Sequence, residues 1–307
     1  KHYILMLSAL VAVSAGRAQV AVHEKSPKTK YAFTLASPRQ TAAILYDASD
    51  AAVVKRAAEL FAADVEAVTG RYPRVTSAAG EQAVIVGTVG GSALIRRLAE
   101  AGKIDTAPLE GAWERYLIQT VANPLPGIRK ALVIAGSDRR GAAYGLFTLS
   151  ELIGVSPWYW WADVPVKKHA ALHVDAPPTY SQTPSVRYRG IFLNDEDWGL
   201  TPWASQTFEP ERGNIGPRTY AKVCELLLRL KANYLAPAMH PVSTSFNQIP
   251  ENKLVADTFA IVMGSTHCEP LRTSSTGSAT VPEAGVVTCA ERAAKSVHTV
   301  PGTPLRV

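Results

Sequence analysis

Three short polar clusters hold the side chains best suited to chemistry: Asn194-Asp195-Glu196-Asp197-Trp198, Pro237-Ala238-Met239-His240 and Gly264-Ser265-Thr266-His267-Cys268-Glu269-Pro270. Three successive carboxylic acids repel one another, so burying Asp195, Glu196 and Asp197 together is costly. The plain reading is a solvated loop in which one acid caps a turn. The chemical reading is a catalytic or sugar-binding carboxylate beside Trp198, whose aromatic face suits the C–H surface of a pyranose. Period-two alternation carried past the preceding apolar run puts Leu193, Asp195 and Asp197 on one side and Glu196 on the other. That favours Asp197 as the acting carboxylate, with Asp195 close behind. His240 and His267 are either satisfied core histidines or donors to a substrate carboxylate. Glu269 is either a second carboxylate at the substrate or the holder of an arginine. Two histidines and an acid at this spacing form no metal-ligand pattern, so no metal is expected.

Each cluster comes after a strand-like run, and helical stretches separate the runs. Arg189 to Leu193, Asn233 to Ala238 and Phe259 to Met263 read as strands. Pro217 suits a first helical turn, and Tyr220, Val223, Cys224, Leu227 and Leu230 give that helix a buried face. Glu225 reads as a surface residue paired with Arg229 at i,i+4. Asn252 to Thr258 is a shorter helical turn. Strand, helix, strand, helix, strand is the opening of a (β/α) barrel, whose active residues sit just after the strands at one face. A doubly wound sheet has the same local pattern.

Residues 30 to about 180 alternate in the same way and predict an N-terminal α/β domain. Ala51 to Val68 carries an amphipathic stripe that Gly70 stops, and a second helix ends near Gly102. Tyr31 to Leu35, Ala42 to Tyr46, Ala83 to Val89, Tyr116 to Val121 and Lys130 to Ala135 are strand-like. Ser137 or Asp138 can cap a helix whose stripe is Ala142, Ala143, Leu146, Leu149 and Ile153. Gly87-Thr88-Val89-Gly90-Gly91 lacks both the GxGxxG spacing and the P-loop lysine, so it reads as a tight structural turn rather than a phosphate cradle. The run Trp158-Tyr159-Trp160-Trp161 is read as packing the first domain onto the barrel, with a sugar platform as the alternative. Pro177, Pro178 and Pro184 mark a linker. The second unit is set at 185–270, and the stretch 271–307 has no sustained periodicity and reads as a disordered tail.

The 307 residues are 47% hydrophobic and 19% charged, enough apolar content for a packed core. Lys1 and His2, the apolar run Ile4 to Val13 and Gly16-Arg17-Ala18 read as a signal peptide spanning residues 1–18, which predicts a secreted or periplasmic protein. No later apolar run is long enough for a membrane span. The formal charge of +6 is spread without a basic helix or cluster, which argues against nucleic acid as a partner. Cys224, Cys268 and Cys289 have no CxxC or zinc spacing, and buried free thiols are the expectation.

Longer motifs carry a resemblance. Gly136-Ser137-Asp138-Arg139-Arg140-Gly141-Ala142-Ala143-Tyr144-Gly145-Leu146, continuing to Trp158-Tyr159-Trp160-Trp161-Ala162-Asp163-Val164-Pro165, resembles the end of the N-terminal domain of glycoside hydrolase family 115. Arg189-Gly190-Ile191-Phe192-Leu193-Asn194-Asp195-Glu196-Asp197-Trp198-Gly199-Leu200 resembles its first barrel strand. Leu226 to His240 and Ile261 to Pro270 resemble the next two. The resemblance runs from about residue 30 to Pro270 and implies an α/β domain followed by a (β/α)8 barrel, of which this chain holds the first three strands. It implies release of glucuronic acid or its 4-O-methyl ether from xylan with inversion, no cofactor, and glucuronoxylan or its oligosaccharides as partner. Asp195, Asp197, His240 and His267 match substrate-pocket positions, while the main acid–base residues belong to later strands. After Pro270 the resemblance ends, so the chain is expected to be an incomplete, inactive fragment. A non-catalytic carbohydrate-binding remnant and a hexosaminidase-like exo-glycosidase sharing the N-terminal domain are the alternatives.

Overall fold

The computed structural model describes residues 19–77, 80–194, 196–240 and 242–264. The expected signal peptide, Asp195, His267, Cys268, Glu269, Cys289 and the stretch 271–307 lie outside the described residues. A three-stranded antiparallel sheet joins β1 (Ala21–His23), β2 (Ala32–Ala36) and a strand from far along the chain. Next come β3 (Ala43–Tyr46), α1 (Ala52–Thr69), β4 (Val75–Thr76), β5 (Gln82–Thr88), α2 (Ala93–Glu100), β6 (Tyr116–Leu125), β7 (Ile128–Gly136) and α3 (Arg139–Leu152). The strand completing the small sheet is β8 (Leu172–Asp175), and β9 (Thr179–Tyr180) adds to the large one.

The large sheet runs β4-β3-β5-β7-β6-β9, with β4, β3, β5 and β7 parallel and β6 antiparallel to both of its neighbours, β7 and β9. Its central strands are apolar at nearly every position because helices cover both faces. Val84, Val86, Leu132 and Ile134 join the cluster that contains α1 and α3. Ala83, Ile85, Ala131 and Val133 face the other way, toward Ile95 and Leu98 of α2. Gly70 ends α1 in the left-handed conformation, at φ 74°, and its N–H donates to the Glu66 carbonyl. Asp138 caps α3 by accepting from the N–H groups of Arg140 and Gly141. The glycine-rich turn after β5 is filled from within the chain. The Asp50 carboxylate accepts from the Thr88 N–H at 2.7 Å and the Thr88 hydroxyl at 2.8 Å, so the turn is structural, as expected.

Gly141 packs against the backbone of the β6 entry, where an added Cβ would collide with the Arg115 carbonyl oxygen. Gly141→Ala is therefore expected to destabilise by roughly 1–3 kcal/mol, against a helix-propensity gain of about 1 kcal/mol. A urea midpoint equal to or above that of the parent would show that this backbone gives way.

The second parallel sheet has the order β10 (Gly190–Phe192), β11 (Tyr234–Ala236), β12 (Val262–Met263). An irregular helical segment comes after β10. It is π-helical over Glu196–Leu200 and Ala204–Phe208, around the one-turn α4 (Thr201–Trp203). Then come α5 (Pro217–Arg229) and α6 (Pro250–Thr258). Pro217 takes the first turn of α5 as expected, and the buried Glu209 satisfies that helix end from outside it. Its carboxylate accepts from the N–H groups of Gly216, Arg218 and Thr219 and from the Thr219 hydroxyl.

Two expectations for α5 are corrected. Leu230 is 41% exposed, because the helix ends at Arg229 and Lys231 turns the chain at φ 58°. Glu225 is not a surface residue. It is buried with Arg229, and Arg229 also forms two hydrogen bonds to Asp64 of α1, at 2.8 and 2.9 Å. Cys224 is the buried thiol expected, and burial pushes its pKa up to about 12.

One hydrophobic cluster continues from α1 and α3 into α5, β11 and α6. Polar ties cross the same boundary: the Tyr144 hydroxyl donates to the Ala232 carbonyl, and the Arg140 guanidinium donates to that of Ala260. The aromatic run packs as expected onto the second unit, where the Tyr159 hydroxyl donates to Glu225 and the Trp161 indole to the Lys222 carbonyl.

Candidate active site

Because β10, β11 and β12 are parallel, Asn194, His240 and Gly264 all lie just past C-terminal strand ends at one edge of the sheet. In open parallel α/β sheets ligands meet the protein at that edge. The opposite ends are moored. The buried Glu114 carboxylate takes Arg140 and Arg189, each at 2.5 Å, and accepts from the Asn233 amide at 2.6 Å. Arg189 also donates to the Lys231 carbonyl. Arg140 and Arg189, from two of the sequence motifs, thus hold strands rather than substrate.

The β10 ladder ends at Leu193, whose N–H donates to the Ala236 carbonyl at 3.0 Å. The chain then turns helical, so the alternation that ranks the acids does not extend to Asp197. Asp197 holds its place on different grounds. The first helical turn brings its Oδ2 to 3.5 Å from His240 Nδ1, with the Asp197 side chain 49% exposed. Such a pair contributes under about 1 kcal/mol to stability; the contact places the carboxylate beside the imidazole ring. Ala238 and Met239 are buried and anchor the loop from which His240 emerges. Trp198, the next residue along the chain, is 87% exposed. Of the six side chains singled out in the sequence, Asp197, His240 and Trp198 are described and lie at this edge.

Sequence pattern marks Tyr234 only as a strand residue. A Cβ on Gly264 would collide with the Tyr234 hydroxyl oxygen, so the phenol lies over Gly264 at the same edge. The signal in the sequence is alternation opposite the fully buried Leu235, with a glycine directly after β12. A carboxylate, an imidazole, a phenol and an exposed indole at one sheet edge can bind hydroxyls, an anionic group and an apolar sugar face. Among the described residues no group of His, Cys, Asp and Glu could hold a metal ion, and no helix is long and apolar enough to cross a membrane.

The model of glycosyl hydrolase family 115 matches residues 181–292, running on past Pro270, where the motif resemblance ends. No curated protein sequence matches the chain. Among solved structures the chain is similar to BtGH115A, described as a family GH115 4-O-methyl-α-glucuronidase with specificity for decorated arabinogalactans. The identity is 39% and the TM-score 0.65, over 78% of this chain and 30% of that one. The chain thus spans less than a third of that relative's length. A Streptomyces plicatus N-acetyl-β-hexosaminidase aligns at 15% identity with a TM-score of 0.47, over 83% of this chain and 45% of that one. That likeness is too slight to bear on fold or function. The resemblance to family 115 is therefore a finding: residues 181–292 carry the glycosyl hydrolase family 115 pattern, and most of the chain shares its fold with a solved protein of that family.

Proposed function

We propose that this chain contributes to a secreted or periplasmic glycoside hydrolase that releases glucuronic acid or its 4-O-methyl ether from xylan with inversion. In this reading β10, β11 and β12 open a (β/α)8 barrel, and Asp197, Trp198 and His240 line its substrate face. The observation that carries the proposal is the Asp197–His240 contact at the C-terminal sheet edge, in a segment that matches family 115. Inversion needs a general acid and a general base roughly 6.5–9.5 Å apart, with the attacking water between base and sugar. Asp197 positions the sugar or that water, and His240 donates a charge-assisted hydrogen bond to the glucuronate carboxylate. Asp195, His267 and Glu269 are assigned to the same pocket, and the principal acid and base to later strands.

A second main chain is favoured by one observation: the solved relative has specificity for decorated arabinogalactans. The glucuronate subsite is the same in both readings, so the test addresses that subsite. β10, β11 and β12 by themselves do not close a barrel, so turnover is measured on a protein carrying the complete barrel. His240→Gln is expected to raise KM for a glucuronide about tenfold more than for the matching neutral glucoside. Equal losses on the two sugars would remove His240 from carboxylate recognition.

A further inference from the structure

The aromatic run does more than pack. A cavity of about 590 Å³ opens between it and the irregular helix after β10, lined by Tyr159, Trp160, Trp161, Trp203, Asp163 and Gly199. That volume is in the range of small-ligand sites, roughly 300–1,000 Å³. Trp160, Trp161 and Trp203 are half-buried around it, which leaves part of each indole open to the cleft. They brace one another at an angle: Trp160 meets Trp161 at 4.9 Å and 86°, and Trp203 at 5.7 Å and 76°. Trp203 stacks on Phe208 at 4.9 Å and 14°. Hydrogen bonds from Trp161 to the Lys222 carbonyl and from Tyr159 to Glu225 fix the walls from behind. Asp163 holds the left-handed conformation at φ 48°, which costs a non-glycine residue energy and marks a position held in place by its surroundings. No atom lies within 4 Å of a Cβ built on Gly199, so the cleft is open there.

From this geometry, and resting on the glucuronoxylan reading above, we infer that the cleft binds uncharged xylose units of the polysaccharide main chain. Its walls suit the apolar C–H faces of pyranoses, and Asp163 can accept from their hydroxyls. Among the described residues Asp163 is the one charged side chain in the lining, and Lys222, which lies over the Trp160 ring, is paired with Glu225, so the cleft disfavours an acidic sugar. The glucuronate side chain belongs instead with His240. The segment Glu196–Phe208 joins the two places, because Asp197 and Trp198 immediately precede Gly199. A bound main chain in the cleft therefore lies next to the loop that would receive its side group.

The test is titration of this chain with unsubstituted β-1,4-xylohexaose, followed by tryptophan emission, with circular dichroism as the check on folding. Saturable quenching is expected. Gly199→Leu fills the opening without removing any packed ring, and Trp160→Ala removes a wall. Each should weaken binding about fivefold or more. The titration reads main-chain binding with a sugar that carries no glucuronate, and the KM comparison for His240→Gln reads the glucuronate site, so failure of the cleft and failure of that site are distinguished. No saturable quenching, the outcome if another polypeptide segment fills the cleft, overturns the inference. So does binding that Gly199→Leu leaves intact, or displacement of xylohexaose by free glucuronic acid.

Discussion

In a protein carrying the complete barrel, and on the proposed reading in which this carboxylate positions the sugar or its attacking water, Asp197→Ala is expected to lower turnover of glucuronoxylan by roughly 10²-fold or more. The fold should be unaffected. Asp197 is half-exposed, and its contact with His240 at 3.5 Å contributes little to stability. An unchanged thermal midpoint beside a large loss in kcat/KM would locate the effect in the chemistry. The double variant with His240→Gln should lose less than the product of the single losses, because the two side chains are in contact. Kinetics within about threefold of the parent in Asp197→Ala would leave the acidic cluster a structural loop, and the site assignment would be withdrawn.

Arg229→Ala should lower stability by about 3–5 kcal/mol. The Arg229 side chain is 2% exposed and serves two buried acids on different elements, Asp64 of α1 and Glu225 of α5. It also lies over the rings of Tyr159 and Phe147. Removing it strands both carboxylates. Burial pushes Asp64 up from its ordinary value, against the pull of Arg229. Burial also works against the Glu225 charge, but Arg229 and Lys222 outweigh it and hold that carboxyl below its ordinary value. The two acids therefore contribute to pH dependence with opposite signs. The stability due to Glu225 is present above its ordinary carboxylate pKa and is lost as pH falls through its lowered folded value. The cost of keeping Asp64 ionised is present above its raised folded value and disappears in acid. Asp64→Asn added to Arg229→Ala should recover part of the loss, since it removes one stranded charge. An exposed i,i+4 pair would give a loss of only about 0.3–0.5 kcal/mol. A change of that size in the urea midpoint would show that the network is not buried in solution.

The contrast between those magnitudes marks where local pattern stops being informative. The sequence alone determined α1, α3, the central strands β5 and β7, and the three strand-ends of the second sheet. The helices announce themselves by a repeat of 3.6, and the strands as short apolar runs bounded by turn residues. It also determined that Arg229 lies one helical turn after Glu225. Whether that pair is wet or dry depends on Asp64, 165 positions away, and only the packing of α1 and α5 on α3 decides it. The same holds for β1 and β8, too short to show alternation and formed by pairing with each other and with β2. It holds too for Glu114, an unremarkable acid in a loop that becomes the anchor of two arginines. At the candidate site the residue types are legible and their arrangement is not. Alternation favours Asp197 for a reason that fails, because the chain leaves the ladder at Leu193 and turns helical. What brings Asp197 to His240 is the parallel register of β10 on β11, which places both strand ends side by side. Periodicity records how a segment meets its own immediate surface; the choice of partner is made by packing between segments distant in the chain, and the burial, charge pairing and site geometry of this protein depend on that choice.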